Sequence, residues 1–240
     1  MQKGQRVYLD CRHFDVGSFA ALGQACARAG ISPQHDLVPV MPVAHYHMGG
    51  IATDLHGRTS VHGPWGGLWA CGETAATGLH GANRLASNSL MEAVVMAGRV
   101  AADITRSHKI FPKACRQLDI YELPPQTRDR DAERGLLRNI MTEKLGVIRN
   151  GQEMMSALRT ITEIRRTSEK DDSRLADMAL VAQMIAVSAL SRTESRGGHF
   201  RSDYPESCEA WKKRSFTTLK EADSLVEGLL EDKIQRESVA

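Results

Sequence analysis

Beyond residue 128 the apolar residues recur at helical spacing; before residue 107 they do not. Leu136, Leu137, Ile140 and Met141 fall on one face of a 3.6-residue period, and Met154, Met155, Leu158 and Ile161 fall on another. Between residues 175 and 190 the apolar positions run nearly all round, the pattern of a helix enclosed by its neighbours. Residues 216–235 alternate Leu219, Leu225, Val226, Leu229 and Leu230 with charges, which predicts a further surface helix. That half is therefore a small helical bundle. The first hundred residues carry short β-like runs instead: Val7-Tyr8-Leu9, Val38-Pro39-Val40, Gly50-Ile51-Ala52-Thr53, Thr59-Ser60-Val61 and Leu68-Trp69-Ala70-Cys71, with Gly57 and Gly63-Pro64 as turns. The class this implies is α+β, with boundaries at 1–107, a connector at 108–128 containing Pro124-Pro125, and a helical domain at 129–240.

A chain of 240 residues can bury a sizeable core. Its 31 basic and 29 acidic residues leave a net charge of +2, too little field to recruit nucleic acid or an anionic membrane, so any anion is bound locally. The five cysteines are scattered without a Cys-x-x-Cys spacing, as expected of a reduced, cytoplasmic chain. The first residues lack an apolar targeting core, and the longest apolar run, 179–190, is too short to span a bilayer.

Chemistry concentrates between residues 45 and 90. Gly72-Glu73 follows an apolar run that reads as a buried strand, and ligands in α/β sheets gather at the carboxyl ends of strands. Glu73 could there accept hydrogen bonds from sugar or ribityl hydroxyls; the alternative is a helix-start carboxylate or a surface ion pair. Ser87-Asn88-Ser89 precedes the helix-forming run from Leu90 to Val95, so Asn88, Ser89 and Leu90 mark a helix start whose free amides suit partial negative charge, or simply a capped helix. Ala97, Gly98, Ala101 and Ala102 further along suggest close packing. Four histidines lie between 45 and 62, but two at i and i+2 share a metal only from a strand or loop, and no third-ligand pattern accompanies them; no metal is expected. His45 could donate to a substrate carboxylate with Arg84 as companion cation, since a guanidinium fork meets carboxylate oxygens two at a time. Otherwise His45 is structural and Arg84 a surface ion pair. The flanking Gly49-Gly50 and Gly78 to Gly81 permit close backbone approach to a ligand.

These residues resemble the succinate dehydrogenase/fumarate reductase flavoprotein superfamily. The likeness rests on His45-Tyr46 with Met48-Gly49-Gly50, on Gly67-Leu68-Trp69-Ala70-Cys71-Gly72-Glu73, and on His80-Gly81-Ala82-Asn83-Arg84-Leu85. The version Ala86-Ser87-Asn88-Ser89-Leu90-Met91-Glu92 is similar to the L-aspartate oxidase family within it. A second signature, residues 195–205 (Ser-Arg-Gly-Gly-His-Phe-Arg-Ser-Asp-Tyr-Pro), resembles that family's C-terminal helical region, so the likeness runs from about residue 6 to 211. By this resemblance the fold is a partial FAD-binding α/β region with a remnant of a capping domain, followed by the helical bundle. It implies that His45 and Arg84 bind a dicarboxylate, L-aspartate, that Glu73 contacts FAD, and that Asn88, Ser89 and Leu90 place backbone at the flavin ring. It also implies hydride transfer from the substrate α-carbon to flavin, giving iminoaspartate, with reoxidation by oxygen or fumarate. This is the first step of NAD biosynthesis, with a functional link to quinolinate synthase.

The chain departs from that pattern in one respect. No Gly-x-Gly-x-x-Gly loop follows a strand anywhere in it. The family's dinucleotide-binding N-terminal half, and most of the capping domain with its proton-exchanging arginine, are expected to be missing, leaving a C-terminal portion that binds FAD weakly and does not turn over alone. The other readings are a fragment of a succinate dehydrogenase or fumarate reductase flavoprotein, and a non-catalytic interaction module derived from one.

Overall fold

The computed structural model describes residues 6–41, 44–59, 67–107 and 128–237. It divides into two compact units, 1–43 and 44–240. In the first, β1 (Val7–Leu9) pairs antiparallel with β2 (Val38–Val40), Val7 opposite Val40 and Leu9 opposite Val38. Between them lies α1 (Ala20–Arg28), which the hydrophobic pattern does not announce: its one buried residue is Cys26, packed with Cys11, Val38, Leu22 and Ile31. An alanine-rich turn of helix that buries a single cysteine leaves almost no periodic trace.

The second unit opens with the parallel pair β3 (Ile51–Ala52) and β4 (Ala75–Ala76), Ile51 beside Ala75 and Ala52 beside Ala76. The run from Leu68 to Cys71 does not form the expected buried strand. Among the described residues it makes one isolated bridge, Trp69 to Arg58, and Leu68 is half exposed. A strand requires a ladder on at least one side, and a single bridge supplies none. Thr59 bridges Thr53, whereas Ser60, Val61, Gly63-Pro64 and the connector containing Pro124-Pro125 lie outside the described residues.

The helix α2 (Asn88–Ser107) follows. Its buried face is largely polar: Glu92, Met96, Asp103 and Ser107. Asp103 accepts from Arg58 Nε at 2.6 Å, Arg58 Nη2 at 2.8 Å and Trp69 Nε1 at 2.8 Å, so one carboxylate ties the 58 and 69 segments to the helix. The close packing expected of Ala97, Gly98, Ala101 and Ala102 is not found among the described residues; all four are exposed.

The bundle consists of α3 (Asp131–Lys144), α4 (Gly151–Ser168), α5 (Ser173–Ser191) and α6 (Leu219–Glu237). Three of these four starts carry a side-chain cap. Asn150 accepts from Gln152 N at 3.0 Å to cap α4, and Asp172 accepts from Leu175 N at 3.0 Å to cap α5. At α6, Thr218 and Glu221 exchange bonds: Thr218 N donates to Glu221 Oε2 at 2.7 Å, and Glu221 N donates to Thr218 Oγ1 at 3.3 Å. The core joins Leu137, Ile140, Met154, Leu158, Ile161, Leu175, Val187 and Val226, with Ala157, Ala179 and Ala186 letting α4 and α5 approach closely. Leu136, placed on the inner face of α3 by its spacing, is 46 % exposed, because the stripe is set by Leu137 and Ile140. By length and composition α5 could cross a membrane, at a mean hydropathy of 1.3; one face of it, with Leu175, Ala179, Ala186 and Val187, is buried in this core, while Met178 and Val181 are exposed, so it is not enclosed all round as its composition suggests.

Candidate functional site

The parallel pairing of β3 and β4 lays the loop before each strand side by side. At that end the backbone amide of His47 donates to Glu73 Oε1 at 3.2 Å. Gly50, at φ +138°, passes so close to the Thr74 carbonyl that a Cβ would meet its oxygen, so the two loops can touch only through a glycine there. Glu73 belongs to a 3-10 turn, Gly72–Thr74, ahead of β4, and not to the end of a strand as its sequence context suggests. Its side chain is exposed, and Oε2 makes no hydrogen bond among the described residues.

Past β4 the chain turns through Gly78 and Gly81, both at positive φ, and delivers His80 and Arg84 before α2 begins. Glu92, one turn into α2, reaches back. It takes the Thr77 hydroxyl hydrogen on Oε1 and lies 2.7 Å from His80 Nε2 through Oε2. Both His80 and Glu92 side chains are almost fully buried. The His80 ring meets the Tyr46 ring edge-on, with centroids 5.1 Å apart, and the Arg84 guanidinium stacks on Tyr46 at 5.0 Å. Burial first, then Glu92 and Glu73, push the Tyr46 hydroxyl above its ordinary pKa, while Arg84 opposes them. Both carboxylates and the guanidinium are thus gathered around one ring.

Arg84 is the unusual member. Its Nε is buried without a hydrogen-bond partner, and the one bond it makes among the described residues is a long one, 3.5 Å from Nη1 to the Leu85 carbonyl. A guanidinium carries five donors. The surface ion pair considered for it is not present among the described residues. His45 directly precedes Tyr46 and is exposed, outside the contacts that join Tyr46, His80 and Arg84.

Asn88, Ser89 and Leu90 form the first turn of α2 and do not precede it, so they are not its caps. Ser87 enters the helix at φ +67°, and Asn88 N bonds to the Leu85 carbonyl at 3.2 Å. The amides of Ser89 and Leu90 have no acceptor among the described residues. Leu90 is 75 % exposed, next to exposed Met91 and Val94. An open carboxylate oxygen, two free helix-start amides and an apolar helix face fit the ribityl and ring portions of FAD.

The second signature clamps this region from below. Gly198 N donates to the Ala82 carbonyl at 2.9 Å, and Gly197, at φ +58°, runs against the same residue. His199 accepts from Arg149 Nη1 at 2.8 Å on Nδ1, and its Nε2–H donates to the Arg192 carbonyl at 3.1 Å, which defines a neutral ring. Burial, reinforced by the cations Arg149, Arg201 and Arg192, holds its pKa below the usual value. Arg214 closes the other side, donating to the carbonyls of Ala76 at 2.6 Å and Thr77 at 3.3 Å across Gly78.

Of the residues singled out in the sequence, Arg84 lies in this cluster while His45 stands outside it, and Tyr46, His80 and Glu92 had been given no role of their own. One signal was available: Glu92 lies four residues before Met96 and eleven before Asp103, on the face of α2 that is buried. An acid on an inner face calls for a partner.

Comparison with known proteins bears on the family. The family model for an FAD binding domain matches residues 1–90, and that for the fumarate reductase flavoprotein C-terminus matches 167–230. An L-aspartate oxidase of Mesorhizobium japonicum is 45% identical over 208 residues, which cover 84% of this chain and 37% of the relative. One of Rhodospirillum rubrum is 43% identical over 222 residues, covering 90% of this chain and 77% of that protein. Among solved structures, an E. coli quinol fumarate reductase aligns with a TM-score of 0.68 at 28% identity, covering 88% of this chain and 42% of its own. A quinol-fumarate reductase determined with menaquinol aligns at 0.70 and 28%, covering 87% and 43%. The chain thus spans well under half the length of several relatives it matches. The motifs, the fold and the relatives agree, and the chain belongs to the L-aspartate oxidase family of the succinate dehydrogenase/fumarate reductase flavoproteins, a family of FAD-dependent oxidoreductases.

Proposed function

We propose that this chain supplies the substrate clamp and part of the flavin-facing surface of an FAD-dependent L-aspartate oxidase. The observation that carries the reading is Arg84: a guanidinium over the Tyr46 ring with a buried, unpartnered Nε suits a carboxylate that the described residues do not provide. His45 and Arg84 hold the two ends of L-aspartate. Glu73 accepts from hydroxyls of the cofactor, and the free amides of Ser89 and Leu90, with Asn88 beside them, face its ring. FAD, when bound, supplies the acceptor for the hydride leaving the α-carbon, and loss of a proton from nitrogen completes iminoaspartate. The residues on this chain contribute orientation, fixing the α-hydrogen toward the acceptor and so lowering the entropic part of the barrier. The product feeds NAD biosynthesis, where quinolinate synthase would consume it. By itself the chain holds FAD weakly, since it carries no Gly-x-Gly-x-x-Gly loop for the pyrophosphate.

The test is a chimera in which this chain replaces the matching part of the Mesorhizobium relative. It should be yellow and consume oxygen with L-aspartate. A flavin-loaded chimera that oxidises succinate and ignores aspartate would instead favour the dehydrogenase reading, which the likeness to fumarate reductase structures keeps in view.

A further inference from the structure

We propose that Tyr46 is a positioning residue for Arg84, and that the buried Glu92–His80 pair sets the orientation of the Tyr46 ring. The inference rests on the reading of Arg84 as a carboxylate clamp and adds what holds the clamp in place. Arg84 has no carboxylate among the described residues to fix its side chain; besides the long bond to Leu85, what holds the guanidinium is the face of Tyr46 at 5.0 Å. A cation–π contact suits a clamp, because it holds the guanidinium over the ring without using up an acceptor and leaves the N–H groups that do not face the ring free for a planar carboxylate.

The ring is in turn fixed from behind. His80 meets it edge-on at an interplanar angle of 80°, and His80 is anchored through Nε2 to Glu92 at 2.7 Å. The other oxygen of Glu92 is occupied by the Thr77 hydroxyl, and Thr77 Oγ1 accepts from Leu79 N at 3.2 Å, which locks the turn that presents His80. Every polar atom of the Glu92 carboxylate is therefore committed. A buried polar pair of this kind is a weak source of stability compared with apolar residues of the same volume. Orientation is what it provides: it defines the rotamer of His80, through it the plane of Tyr46, and through that the direction in which Arg84 offers its edge.

The experiment uses the 240-residue chain with labelled arginine and histidine side chains, followed by NMR, with succinate as the probe. The Arg84 Nε–H signal, assigned by its loss in Arg84→Lys, should lie upfield from the ring current of Tyr46 and should move on succinate addition. Tyr46→Leu should abolish the upfield displacement and weaken succinate binding by roughly 3- to 30-fold. Tyr46→Phe, which restores a ring face, should recover most of both, a distinction that simple space-filling would not make. Glu92→Gln keeps the volume but offers one acceptor where two donors converge. It should change the His80 ring-nitrogen signals and move Arg84 toward the free-arginine position, while the amide spectrum of α3 to α6 stays as in the parent. The proposal is overturned if Tyr46→Leu binds succinate with the parent's affinity and Arg84 shift, or if Glu92→Gln alters His80 and leaves Arg84 unmoved. A parent chain whose Arg84 signal ignores succinate would overturn the clamp itself, a failure distinct from that of the positioning role.

Discussion

Gly197 sits at φ +58° with the Ala82 carbonyl where a side chain would begin, and through this contact the C-terminal signature touches the loop that carries Arg84. Gly197→Ala combines a left-handed backbone with a clash, so an expected loss of about 1–3 kcal/mol in unfolding free energy should appear in a urea titration. Glu194, buried nearby, illustrates the electrostatics of the same loop. The hydrogen bond from Arg196, with those from Cys208 N and Arg192, outweighs its burial and holds its pKa down from an ordinary 4.5 to about 2. A carboxyl depressed in the folded state binds its proton more readily when unfolded. Its contribution to stability is fully present above the unfolded value and lost as pH falls through the folded one. Denaturation midpoints should therefore drop between pH 4.5 and about 2, and Glu194→Gln should flatten that part of the profile. A parent whose stability is level across this window would contradict the assignment.

At the level of elements, α2 is held by acids where most helices are held by apolar packing. Glu92 secures its first turns to Thr77 and His80, and Asp103 secures its last turns to Arg58 and Trp69. Asp103→Ala should leave the bundle intact and release the segments it binds, so hydrogen exchange at the amides of Thr59 and Ala70, which bond to Leu68 and Gly57, should quicken while that of α4 and α5 does not. Equal protection in parent and variant would show that these segments are held by something else. This polar anchoring also explains what the sequence made legible. Helices α3 to α6 could be read because their inner faces are apolar at a 3.6-residue period. Arg84 and Glu73 stood out because glycines lie near them, and the start of α2 because Ser87-Asn88-Ser89 precedes a helix-forming run. The Tyr46–His80–Glu92 assembly left one trace, the place of Glu92 on the inner face of α2, since a buried polar contact is otherwise defined by partners far apart in the chain. The strand expected at Leu68 to Cys71 failed for the opposite reason: a short apolar run carries no record of whether a neighbour is there to pair with it.

Considered as a whole, the chain carries on one unit a guanidinium with an unpartnered Nε, an open carboxylate oxygen and a helix start whose first amides have no acceptor among the described residues. Arg84→Lys set beside Glu73→Ala in the chimera with the Mesorhizobium relative separates the two roles most directly. Lysine keeps the charge and loses the planar fork, so kcat/KM for L-aspartate should fall by roughly 10- to 1000-fold, about 1.4–4 kcal/mol of transition-state stabilisation, with flavin content near that of the parent. Glu73→Ala should lower flavin occupancy first and rate as its consequence. An Arg84→Lys enzyme that oxidises aspartate like its parent, or that loses flavin while keeping its affinity for substrate, would contradict the assignment of Arg84 as the carboxylate clamp.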